Sequence, residues 1–370
     1  MAAPIALFRR RNDGREKIKR ARIGAGAHLF TVTKRVGLTL LQFLVTAAAI
    51  YYVFHDAQKR AQIWEALLAA DWRWLAASWL VYGAVEAIAT VRWQMLLRVQ
   101  RITVSWLRAG VIVTVGLFFN LFLPGLIGGD AMRLYLLFQK VPRRKTRATL
   151  SVVMDRMFGL FSLITLAAVV VWWRFGWLQQ APQTARVTYL ALGLLGGAGI
   201  FLLLLLGAIA FHLAPSLPRP FPFRHAILET SQALHLYRRH PRTIGIAFAL
   251  TIVSHLAYYL SYYCAMRSLP APAHETASIG DFFSIMPLVN TITGIPISFG
   301  GVGVRETLFQ TLLGQLAHVP VALAAVSASL GYAVQASWGL IGGAAYLFLR
   351  PARSSRRTAR RGVGKMSKLN

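Results

Sequence analysis

Apolar residues fall along this chain in long runs set between short polar, mostly basic, intervals. A helix that crosses a bilayer needs about 20 mainly apolar residues, because in hydrocarbon its backbone groups must be satisfied within the segment. Val36–Phe54, Trp74–Val91, Leu150–Trp173, Val187–His212 and Ile244–Met266 meet that length, and Val321–Leu349 is longer and accommodates tilt. Each predicts a spanning helix. Two further apolar stretches, Ala109–Leu137 and Phe282–Ala317, are broken internally by proline and glycine, so neither reads as a plain span.

Charge decides how the broken stretches run. Lys and Arg number 41 against 12 Asp and Glu, a net +29, yet charged residues make up only 14% of the chain and mean hydropathy is +0.51. The basic residues bracket apolar runs and line no folded basic face, which is the positive-inside pattern and argues against nucleic-acid binding. With a cytoplasmic N-terminus, the second span returns the chain so that Arg92, Arg98, Arg101 and Arg108 lie inside. The next basic cluster, Lys140, Arg143, Arg144, Lys145 and Arg147, stays inside only if Ala109–Leu137 enters and turns back. The interval from Arg174 to Arg186 then lies outside, that of Arg219, Arg224, Arg238, Arg239 and Arg242 inside, and that of Glu275 and Asp281 outside. A cytoplasmic C-terminal tail requires Phe282–Ala317 to be re-entrant as well, from the opposite face. The expected architecture is all-α and polytopic: about six spanning helices and two oppositely oriented re-entrant hairpins in an inverted repeat. Residues 1–35 and 350–370 form basic cytoplasmic tails around a transmembrane region at 36–349, and the chain is expected in the cell (inner) membrane.

The two broken stretches share a pattern. One reads Pro124-Gly-Leu-Ile-Gly128-Gly129-Asp130-Ala-Met-Arg133 and the other Pro296-Ile-Ser-Phe-Gly300-Gly301-Val-Gly-Val-Arg305, both P-x-x-x-G-G-x-x-x-R, with Asn120 and Asn290 ahead of them. Proline removes a backbone donor and ends a helix, the glycine pair permits a tight turn and close approach to a ligand, and a short helix follows. Its N-terminus offers free N–H groups and a positive dipole end to an anion. Arg133 and Arg305, one turn in, add guanidinium forks suited to phosphate. Asp130 and Glu306 stand beside them and can hold each arginine until substrate arrives, or can simply neutralise a helix start. Paired interrupted segments in two halves are the sequence pointer to an inverted-repeat transporter with its site between the broken helices.

Other polar residues lie within spans. Glu86 in the second span and His255 in the fifth are costly in lipid unless they face protein or a wet cavity, and Glu86 is a candidate partner for a hairpin arginine. Asp155 and Arg156, near the start of the third span, read equally as a surface-level ion pair or as part of a site. His255 has no second ligand at metal spacing and is expected to be a hydrogen-bonded structural residue. Trp72 with Trp74, Trp172 with Trp173, and Tyr258 with Tyr259 and Tyr262 fit interfacial belts. Cys264, the single cysteine, lies in an apolar stretch and reads as a packing residue. No P-loop, H-E-x-x-H, G-x-S-x-G or Cys/His metal spacing is present. No cofactor, metal or catalytic residue is expected.

Three ordered strings, Asn120 to Arg133, Asp155-Arg156-Met-Phe-Gly159-Leu and Pro296 to Glu306, resemble the signatures of the lysylphosphatidylglycerol synthase transmembrane region, a flippase-like domain family. The resemblance implies a multi-span bundle with re-entrant segments that moves modified or anionic lipids between leaflets or supplies glycan-lipid pathways. It also implies that Asp130, Arg133, Asp155, Arg156, Arg305 and Glu306 form the functional set. Full-length synthases of the family append a soluble aminoacyl-transferase domain, which is missing here, so synthase activity is not expected.

The sequence therefore supports translocation of an anionic phospholipid or lipid-linked substrate, its headgroup held between the hairpins by Asn120, Asp130, Arg133, Asp155, Arg156, Asn290, Arg305, Glu306 and Glu86. Two other classes remain open. One is an accessory subunit or embedded enzyme of a lipid or glycan-lipid modification pathway, working with a pathway enzyme; the other is an ion-coupled solute transporter. A homo-oligomer is compatible with all three.

Overall fold

The long apolar runs from Trp74 onward become helices because only an intra-segment backbone ladder satisfies N–H and C=O groups away from water. The computed structural model of the chain describes Glu65 and residues 68–122, 127–210, 236–272, 275–295 and 298–348. The first predicted span, both tails, Pro124 and Pro296 lie outside these residues. Among them no strand occurs, and the helices are α1 (Trp72–Val99), α2 (Trp106–Phe122), α3 (Ile127–Lys140), α4 (Lys145–Leu178), α5 (Pro182–Ala210), α6 (Pro241–Arg267), α7 (Ile279–Thr293), α8 (Val304–Leu316) and α9 (Val321–Phe348). Helices α1, α4, α5, α6 and α9 are long and apolar enough to cross a membrane, in agreement with five of the six predicted spans. At 1.5 Å per residue, the 28 residues of α1 reach about 42 Å.

The ends are set by local chemistry. Asp71 caps α1 by accepting the Arg73 N–H at 2.9 Å, and Ser278 caps α7 by accepting the Asp281 N–H at 3.1 Å. Helix α6 begins on Pro241, whose missing donor is harmless at a first turn.

The second half of the chain repeats the first. Helices α1, α2, α3 and α4 correspond in order to α6, α7, α8 and α9, and the packing pairs match: α1 with α2 as α6 with α7, α3 with α4 as α8 with α9, α2 with α9 as α7 with α4. The equivalent helices α1 and α6 form the most extensive pairing. They run antiparallel, since the Asp71 N–H meets the Ser268 carbonyl at one end and Arg92 meets Thr251 toward the other, with Ser78 and Ser261 hydrogen-bonded between. Equivalent helices pointing opposite ways make the two halves an inverted repeat.

Each broken stretch folds back on itself. Helices α2 and α3 pack so closely that a Cβ on Gly129 would lie 2.2 Å from the Gly116 carbonyl, and Asn120 Oδ1 accepts the Gly129 N–H at 2.8 Å. The chain leaves and rejoins the bundle at one end, because Arg144, after the hairpin, donates to the carbonyl of Arg101, before it. In the second stretch α7 and α8 pack with Phe282 edge-on to Phe309. The turn between them holds three positive-φ glycines, Gly300 (60°), Gly301 (77°) and Gly303 (81°), a conformation side chains other than glycine adopt at a cost. At the opposite end from Arg101, Arg174 at a kink in α4 pairs with Asp281 at the start of α7 and covers the Trp177 ring at 4.2 Å. Those two residues come from the two intervals predicted to lie outside.

Without a hydrophobic difference between lipid and side chain, close backbone approach does much of the packing. Helix α9 passes α2 through Gly342 and Gly343, and a Cβ on Gly342 would lie 2.0 Å from the Thr114 carbonyl oxygen.

Candidate functional site

A cleft of about 720 Å³ opens where the two hairpins approach each other, and its walls come from both: Asn120 and Leu121 of α2, Asn290 and Thr293 of α7, Gly300 and Gly301 of the turn, and Arg305 of α8. Helices α1, α4, α6 and α9 close it with Arg92, Asp155, Arg156, Ser254, His255, Tyr258, Tyr332 and Gln335.

On one side stands a chain of charges. Asp155 accepts from Arg92 Nε at 2.8 Å through Oδ1 and from both terminal nitrogens of Arg133 at 3.3 Å through Oδ2. Arg133 also reaches Asp130 at 3.4 Å, and Asp130 takes a bidentate fork from Arg156 at 2.6 and 2.8 Å. Arg92 Nη1 adds a bond to Thr251 at 3.1 Å, and the Arg133 guanidinium lies 4.5 Å from the Trp93 ring. Three arginines thus share two aspartates in a run that ties α1, α3, α4 and α6 together. Such a network holds only if nearly every donor and acceptor is used, since buried charge is otherwise expensive.

Arg305 is placed differently. It is 6% exposed, its Nε and Nη1 have no hydrogen-bond partner among the described residues, and its guanidinium lies over the rings of Tyr332 at 5.1 Å and Tyr262 at 5.6 Å. Aromatic faces attract a cation without neutralising it. The expected pairing with Glu306 does not form. Glu306 instead accepts the Gly303 N–H at 2.6 Å and the Ser329 hydroxyl at 3.0 Å, because its place in the first turn points it at the free amide of the glycine turn. The aligned strings carry the reason: Asp130 stands three residues before Arg133, where Val302 stands three before Arg305.

Several expectations need correction. Arg92, assigned to the inner polar interval, is buried in α1 and belongs to the charge chain, since α1 runs on to Val99. Asp155 and Arg156 are not a pair: neighbours on a helix point about 100° apart, and each meets a different hairpin residue. Glu86 is buried in α1, close enough to feel the field of Arg133, but no ion pair joins them among the described residues. Tyr259 and Tyr262 are not belt residues; they are 1% and 0% exposed in the core. Trp172 and Trp173, at 93% and 82%, do face outward. His255 meets the Gly159 carbonyl at 3.2 Å through Nε2, the structural bond expected of it, and Cys264 is buried.

Asn120 lines the cleft but spends its Oδ1 on closing the first hairpin, while Asn290 reaches the cleft from the corresponding place in the second. Arg92, Tyr332 and Gln335 line the cleft and Tyr262 lies under Arg305, although sequence patterns gave Arg92 to a loop and Tyr262 to a belt and did not mark the other two. A polar residue within the last span was the only available signal, and Gln335 carried it; it accepts from Tyr258 and Tyr262, both at 3.5 Å.

The profile of the lysylphosphatidylglycerol synthase TM region family matches residues 39–343. The chain belongs to that family. The match takes in both hairpins and every residue of the cleft, and it makes this a multi-pass membrane protein with a role connected to membrane lipids. No curated protein matches the chain.

Proposed function

We propose that this member of the lysylphosphatidylglycerol synthase TM region family carries a lipid with an anionic headgroup from one leaflet to the other. The observation that supports this most directly is Arg305: a cation, almost wholly buried and without a carboxylate partner among the described residues, facing a cleft that both hairpins line. A phosphate oxygen would supply the acceptors that Nε and Nη1 lack. Substrate and cleft then stand near the centre of an inverted repeat, the position from which opening to either face is a rocking of one half against the other. Acyl chains remain in the bilayer, and no bond is made or broken. In this reading the chain sits in the inner membrane with both termini in the cytoplasm, and the hairpins enter the bilayer from opposite faces.

The test is transport. Purified protein in liposomes carrying a fluorescent phosphatidylglycerol is exposed to dithionite, which bleaches only the outer leaflet. Wild type is expected to expose the inner pool to the quencher, and Arg305→Gln to leave it protected. If folded wild type moves no anionic lipid, the chain acts as an accessory subunit or embedded enzyme and translocation is wrong.

A further inference from the structure

The cleft is stopped at one end by the largest apolar cluster among the described residues. On α4 the cleft wall ends at Leu163 and the apolar layer continues to Leu178; on α6 the wall ends at Tyr258 and the layer continues to Met266. On α7 the wall lies at Asn290, behind Phe282. Each of these runs leads from the cleft toward the end of the bundle that holds Arg174. Tyr259 meets Phe283 edge-on at 5.8 Å, Tyr263 meets Phe282 at 5.7 Å and Phe282 meets Phe309 at 5.7 Å, so the layer crosses between helices as interlocked rings. Toward the Arg101 end, the two smaller apolar clusters take no described residue from α7, α8 or α9, and Arg156 on the cleft wall leaves 43% of its side chain exposed.

Among the described residues one ion pair fastens the layer. Arg174, where α4 loses helical geometry, donates to Asp281, the residue directly before Phe282 and Phe283. The pair joins α4 of one half to α7 of the other, and Asp281 also takes the Ser278 hydroxyl at 2.8 Å. The two side chains are 34% and 25% exposed, and an ion pair so placed is weak enough to be broken and remade.

We propose that Arg174 and Asp281 form the latch of a gate. Paired, they hold α7 against α4 and keep the cleft shut toward their own end; parted, they let Phe282 and Phe283 withdraw and open it there. The latch rests on the reading of the two halves as rocking against each other, and is independent of which headgroup the cleft takes. Close-packed layers switch between discrete arrangements and do not deform continuously. A weak bond at the rim of such a layer is therefore enough to set which arrangement is occupied.

Thiol accessibility tests the latch without any lipid being moved. Cys264→Ser removes the single native cysteine, and Thr293→Cys then places a reporter on the cleft wall. The full chain is labelled with an impermeant methanethiosulfonate in right-side-out and in inverted membrane vesicles. Arg143→Cys and Gln180→Cys, exposed at opposite ends of the bundle, identify the two faces. The Thr293→Cys reporter is expected to react from the Arg143 face and to be protected from the Gln180 face. Adding Asp281→Asn or Arg174→Gln is expected to raise its labelling rate from the Gln180 face about two- to fivefold, and adding Arg174→Lys, which keeps the charge, to leave it protected. Equal labelling from both faces before the pair is touched overturns the gate, as do Asp281→Asn and Arg174→Gln variants that label no faster. A rise from both faces together marks a loosened bundle and overturns it too, and Arg174→Lys behaving as Arg174→Gln overturns the ion pair as the latch. Should labelling respond as expected while liposomes move no lipid, translocation alone falls; should lipid move at a rate that loss of the pair leaves unchanged, the latch alone falls.

Discussion

Arg305→Met is expected to make the protein more stable while ending the proposed lipid transport. A buried cation without a counter-ion pays a desolvation cost of several kcal/mol, and the two tyrosine faces return only about 0.5–2 kcal/mol each. Methionine fills much the same space beside Tyr262 and Tyr332 without the charge, so thermal or denaturant unfolding in detergent should show a gain of about 1–3 kcal/mol. Dithionite quenching of the same variant should stay at the level of empty liposomes. A residue kept at the expense of stability is a residue kept for its ligand. An Arg305→Met protein that is less stable than wild type would make the arginine structural and would remove the main support for the anion site.

The opposite result is expected on the other side of the cleft. Asp155→Asn changes little volume but leaves Arg92 and Arg133 facing each other with no carboxylate between them. Breaking a buried network by removing one partner costs about 3–5 kcal/mol, which is enough to lower the unfolding midpoint sharply or to reduce the yield of folded protein. Adding Arg133→Met to Asp155→Asn should recover part of the loss, because the second change removes one of the stranded cations; the coupling in that cycle measures the pair itself. If Asp155→Asn unfolds like wild type, water reaches these charges and the network is not the clasp its distances suggest.

These two arginines show what the sequence could and could not tell. That each broken stretch doubles back was legible in the charge pattern: Arg101 and Arg144, which it placed together, touch, and Arg174 and Asp281, which it placed together, pair. The correspondence of the two halves was legible in one short string. The partners were not, because pairing depends on rotation about helix axes that apolar runs leave undefined. Arg92 sits one residue beyond the point where hydropathy falls, so it looked like a loop residue although α1 continues for two more turns. Tyr262 and Tyr332 looked like interface or core, and only the packing of α6 against α8 and α9 sets them beneath a guanidinium. Glu306 was assigned to its neighbour in sequence, whereas a first-turn glutamate reaches back along the helix to a free amide. Val302 in place of Asp130 was the one visible sign that the two arginines would differ.

The halves, alike in path, are unlike as mechanical parts. Helix α3 is riveted to α1 and α4 through Asp130, Arg133 and Asp155, whereas α8 hangs from a turn of three left-handed glycines and is fastened at its start by one glutamate. Local opening is easiest where few buried bonds must break, so amide hydrogen exchange is expected to be faster through 298–305 than through 127–133. A machine with two matching arms, one pinned and one sprung, would not divide its motion evenly: under the proposed translocation the first arm is expected to be the frame and the second the part that swings.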